Sequence, residues 1–168
     1  MKKRAQIAGQ MFVYVLGFII FALVLLYGYN AIKNLGDKAE QTSFIQFKTE
    51  ITQTVKTLST DYGTVRRKDF ALSGRYIRVC FVDSERIGNG ITLANYPLIE
   101  DSVTSGVDVN LFLVSGKGIE DSFNAGKLDI NRDDLITDNH FTCVPVINGK
   151  LKVKFTGLGN RVRVESDV

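Results

Sequence analysis

Met11 to Tyr29 reads MFVYVLGFIIFALVLLYGY, 19 residues whose only polar side-chain atoms are tyrosine hydroxyls. No charge occurs from Ala5 through Ile32. At about 1.5 Å per residue a helix over the apolar stretch is roughly 28 Å long, matching a hydrocarbon core of about 30 Å. Tyr27 and Tyr29 stand at its far end, where amphipathic rings favour the lipid–water boundary. A buried core helix rarely stays apolar all round over this length. A cleaved secretory signal has a shorter apolar region ending in small residues, and Leu26-Tyr27-Gly28-Tyr29-Asn30-Ala31 provides no clean pair at that spacing. Residues 11–32 are therefore expected to form a single transmembrane helix.

Basic flanks orient it. Lys2, Lys3 and Arg4 precede the helix, whereas Lys33 and Lys38 follow it together with Asp37 and Glu40. The balance favours a cytoplasmic N-terminus and an extracytoplasmic C-terminal domain at the cell membrane. Those three leader residues also account for the whole formal charge of +3. Without them, 18 basic residues face 18 acidic ones. A neutral body without a basic stripe argues against nucleic acid as a partner.

Residues 1–10 form a basic leader, and Lys2 to Gln10 reads KKRAQIAGQ directly before the apolar run. This resembles the class III signal peptide of archaeal type IV pilin-like proteins. In that family a prepilin peptidase cuts after a small residue on the cytoplasmic side and leaves the apolar helix on the mature chain. The resemblance places Lys3 and Arg4 in the basic leader, Ala5 before the cut and Gln6 at the new N-terminus. The third mature residue is often Ser in the family and is Ala8 here. The fifth is often Glu, and here it is Gln10, which can hydrogen-bond but cannot pair with a neighbour's terminal amine. The resemblance implies a surface subunit or minor pilin in which Gln10, Gly9 and Gly17 help helices assemble. Its partners would be the bilayer, prepilin peptidase, and copies of itself or other pilin-like subunits. The same residues also read as an ordinary positive-inside flank. The competing function is then a monomeric membrane-anchored extracytoplasmic binding module with no filament role.

Beyond the membrane segment, Phe44, Phe47, Ile51, Val55, Leu58 and Tyr62 recur at intervals of three and four, one face of a helix. Residues 33–62 are expected to be an amphipathic helix. Gly36 is a candidate kink, and Asp37/Glu40 and Ser43/Gln46 have the spacing of capping boxes.

Residues 63–168 read as an antiparallel β-rich domain, so the fold class is α+β. Tyr76–Val82, Val109–Val114 and Phe141–Val146 are strand-like. Within VPVINGKLKVKF, Asn148-Gly149 joins two β-branched runs as a type I′ hairpin. Leu151, Val153 and Phe155 alternate with Lys150, Lys152 and Lys154, and Val162 and Val164 continue a meander. Asp83 to Asn110 reads mostly as loop with a short strand, and Asp83 to Asn95 is the candidate ligand loop of a binding module.

Cys80 and Cys143 each fall within a strand-like run. In an extracytoplasmic domain they are expected to form a disulfide, closing a loop of about 62 residues. The alternative is a pair of buried thiols.

Asp129 to Asp134 has the alternating oxygens of a calcium loop's first half. It places Asp134 where the EF-hand needs Gly, and His140 where a Glu should close the site. A solvated acidic turn is the simpler reading, with no metal. His140 stands three residues from Cys143, which puts them on opposite faces of a strand. No phosphate loop, dinucleotide fingerprint or nucleophile elbow occurs. The expectation is a non-enzymatic protein with no cofactor.

Overall fold

The computed structural model describes residues 3–86, 96–130 and 140–167, with side chains from Met11 onward except that of Asp37. It opens with one helix, α1, running Lys3–Ser59. Helix α1 passes through Gly36, the candidate kink, and no new helix starts at either capping-box position. A helix-interior glycine costs only about 1 kcal/mol relative to alanine. That is too little to break a run of good helix formers, and the Thr42 hydroxyl donates back to the Lys38 carbonyl inside the helix. The chain divides into two compact units, Met1–Thr42 and Ser43–Val168.

In the second unit, Phe47, Ile51, Val55 and Leu58 of α1 are buried, as the three–four spacing requires. Tyr62 departs from that stripe. The helix stops at Ser59, where the Ser59 and Thr60 hydroxyls donate to the Lys56 and Thr57 carbonyls. Tyr62 instead opens the first strand and is 84% exposed.

Among the described residues eight strands follow: β1 Tyr62–Ala71, β2 Tyr76–Val82, β3 Leu111–Ser115, β4 Gly118–Phe123, β5 Leu128–Asp129, β6 Phe141–Ile147, β7 Lys150–Leu158 and β8 Val162–Ser166. They form a sheet in the order β4-β3-β2-β6-β7-β8-β5, with β1 paired to β7. Every pairing is antiparallel except β5 with β8, which is parallel. The all-antiparallel expectation is corrected at that one edge. Strand β5 has only two residues and follows β4 after a short turn; it pairs Leu128 with Val162, a partner far along the chain, rather than forming a hairpin.

The hairpin at Asn148-Gly149 has positive φ at both residues, 52° and 69°, as a type I′ turn demands. Leu151, Val153 and Phe155 of β7 are buried, and they join Val162 and Val164 of β8 and the α1 stripe in the main core. Phe47 meets Phe70 and Phe123 edge-on, with ring centroids 5.6 and 6.1 Å away. These contacts fix the helix against β1 and β4.

A second, smaller core lies on the other side of the sheet. Its buried members are Cys80, Val82, Ile99, Phe112 and Val114, with Tyr96, Val103, Phe141 and Cys143 packed against them. Ile99 and Val103 belong to a helix, α2, at Pro97–Thr104. This corrects the loop-with-short-strand reading of that segment. Pro97 occupies the first turn, where its missing N–H costs nothing, and the apolar pair at i and i+4 turns toward the sheet. Two turns are too few for a periodicity to stand out in sequence.

Candidate functional site

The sequence singles out an N-terminal segment and a cysteine pair. The structure adds a charged corner built from residues on both sides of Cys143 in the chain.

Lys3, Arg4, Ala5, Gln6, Gly9 and Gln10 all lie on the first turns of α1. Their side chains are outside those described. Gly17 is exposed, and a Cβ built there would meet nothing within 4 Å. From Met11 to Leu35 the large apolar side chains of α1 are exposed, and Leu16, the most covered of those named, is still 47% accessible. An exposed apolar surface of this length exceeds what a soluble monomer ordinarily shows. It is the one helix among the described residues long and apolar enough to cross a membrane.

The cysteines form a disulfide. Cys80 of β2 and Cys143 of β6 are opposite each other in the antiparallel register, with Cα atoms 4.0 Å apart. Cys80 is fully buried beneath the α2 core. The bond removes the thiol that a Cys–His pair would require.

The charged corner is assembled from the turn after β2, strand β5, and the start of β8. Asp129 is 1% exposed, and each of its oxygens accepts from an arginine. Arg86 Nη1 lies 2.7 Å from one oxygen and Arg163 Nε 2.8 Å from the other. Asp129 would be the first ligand of the calcium-loop reading, and both its oxygens are occupied by guanidinium groups. Residues 131–139 of that loop lie outside the described residues, and among those described no cluster of metal ligands is found. Glu85 binds Lys127 at 2.9 Å and Arg161 at 3.0 Å. The Lys127 hydrogen bond, followed by its charge, holds the Glu85 carboxyl below the usual range. Asp83 is buried, and burial pushes its carboxyl up against the opposing pull of Arg86, His140 and Arg161. Its backbone N–H donates to the His140 carbonyl at 2.9 Å, which ties the corner to β6. The candidate ligand loop Asp83–Asn95 is described only as far as Arg86. A second polar group stands at the opposite end of β2. Tyr76 donates to Asp121 at 2.5 Å, and burial, reinforced by this bond, pushes its hydroxyl up to about 12.

The arrangement around Asp129 is a clamp: Asp129 and Glu85 are each paired with two bases at about 3 Å or less. Asp129→Ala would remove the carboxylate that joins Arg86 to Arg163 and take one ion pair from each. Because those arginines are partly exposed, the expected loss is about 3 kcal/mol, the lower end for breaking a buried pair. Chemical denaturation checks it, and a loss below about 1 kcal/mol would make the clamp incidental.

Compared with known proteins, the chain matches no family model, no curated protein and no solved structure.

Proposed function

We propose that this protein is a non-enzymatic, single-pass, membrane-anchored surface protein, a pilin-like subunit or minor pilin of an archaeal type IV filament. The N-terminus is cytoplasmic in this reading and the β-rich head is extracytoplasmic. The observation that carries it is the exposed apolar run Met11–Ile32, placed behind KRAQIAGQ on one helix that ends in the core of the head. A cut after Ala5 preserves that helix, so the mature chain keeps a surface able to exchange lipid for copies of itself. Small residues, Gly9 and Gly17 among them, allow close helix approach, and Gln10 supplies a hydrogen-bonding group near its start.

Gln10 also favours a second reading, a monomeric anchored binding module. The charge that would recruit a neighbour's terminal amine is missing at that position.

The mature N-terminus separates the two. Chain isolated from membranes of a host with prepilin peptidase is expected to begin at Gln6, and Ala5→Asp should block that trimming. A chain beginning at Met1 or Lys2 in the same host would remove the pilin-like reading and leave the anchored module.

A further inference from the structure

The face of the sheet that carries α2 is half covered and half open, and the open half is concave. On the same face as α2 the outer sides of β1, β6 and β7 form a groove of about 470 Å³, lined by Asp69, Pro145, Ile147, Lys150, Lys152 and Asp167 together with the turn residue Asn148. Ile147 is 51% exposed at this surface. Asp167 is already held by Arg67 at 3.2 Å, so the groove keeps a positive excess from Lys150 and Lys152 over Asp69. Helix α2 is its counterpart in shape and charge. It carries Glu100 and Asp101 and no base, and its outward surface bears Leu98, 62% exposed one turn before the exposed Asp101.

An acidic helix with an exposed leucine thus shares one face of the sheet with a groove that carries two lysines and an apolar floor. A patch that carries both halves of a contact side by side is self-complementary about a two-fold axis. We infer that the heads of two copies of this chain pair face to face, each α2 seated in the partner's β6–β7 groove. Leu98 fills the apolar floor at Pro145 and Ile147, and Asp101 meets Lys150 and Lys152. One apolar anchor with rim charges on each side makes a weak contact in free solution. Tethering both heads to one membrane raises their effective concentration without any new contact. The pairing belongs to the head alone, so it stands whether or not the N-terminal helix enters a filament.

The test uses the full chain in detergent micelles, with equal amounts of ¹⁴N and ¹⁵N protein and a zero-length carbodiimide cross-linker. Peptides joining Asp101 to Lys150 or Lys152 should appear with mixed isotopes, and 1 M salt should suppress them. Dimerisation measured by sedimentation should weaken about tenfold or more in Asp101→Lys and in the double variant Lys150→Glu/Lys152→Glu, because each places like charges in contact. Mixing those two variants should restore it, since the heterodimer holds one native and one reversed set of pairs. All the substituted positions are exposed, so folding is not at stake. Cross-links of a single isotope only, or variants that associate as the parent does because the apolar helix alone joins the chains, would overturn the pairing.

Discussion

Gly157→Ala is expected to destabilise the head by about 4 kcal/mol or more, into the range that single substitutions reach only by breaking a specific structural feature. Gly157 lies on β7 where α1 ends and the chain turns into β1. A Cβ added there would overlap the carbonyl oxygens of Asp61 and Leu58, with the Asp61 carbonyl carbon close behind. All three atoms are backbone. They cannot rotate aside, and the Leu58 carbonyl is already accepting from the Asp61 N–H at 3.1 Å. Relief requires moving the end of α1 away from β7, which would open the contact through which Val55 and Leu58 reach the main core. By contrast, Gly74→Ala meets nothing within 4 Å at an unremarkable φ and should change stability by only a few tenths of a kcal/mol. Thermal unfolding of the two variants side by side checks the claim. Similar melting temperatures would mean that the helix terminus yields at little cost.

Gly157 also marks where the sequence stops being legible. Leu158 and Gly159 beside it read as a turn, and nothing local announces that position 157 lies under a carbonyl 99 residues earlier in the chain. The elements that were legible carry their reason in neighbouring residues: an uncharged run for the start of α1, a three–four stripe for its end, and Asn-Gly ahead of alternating lysines for the β6–β7 hairpin. Those that were not legible depend on partners distant in sequence. Strand β1 reads VRRKDF, and only Phe70 in it is fully buried, because its pairing to β7 and not an apolar face holds it in place. Strand β4 is acidic for the same reason, with Glu120 and Asp121 meeting Arg75 from the turn before β2. Helix α2 is too short for its period to show. The charged corner joins Asp129 to Arg86, 43 residues away, and Arg161 to Glu85, 76 away. A neutral overall balance conceals both that clamp and the separation of Lys150 and Lys152 from Asp101. Only the cysteine pair was legible as a site, because each cysteine sits in a strand-like run of its own, flanked by apolar residues.

That bridge should contribute the second large effect. Replacing both cysteines, Cys80→Ala with Cys143→Ala, removes a cross-link that closes a loop of sequence separation 63, worth roughly 4 kcal/mol in the chain-entropy view. A domain of this size has only about 5–15 kcal/mol in total. The pairing of β2 with β6 keeps its backbone hydrogen bonds in the variant, so the head should still fold, at a melting temperature about 15 °C lower. Reductant should reproduce the shift in the parent protein and do nothing to the variant, which separates loss of the cross-link from damage caused by the alanines. A parent chain whose melting is the same with and without reductant, under denaturing conditions that reduce the bond, would mean that the β2–β6 ladder and the α2 core suffice alone. The expected result has a consequence for compartment. A head that draws this share of its stability from a disulfide matures best where thiols are oxidised. Exported chain should therefore accumulate in folded form, while the same head retained in a reducing cytosol should be degraded faster. The double alanine variant should lose that difference between compartments.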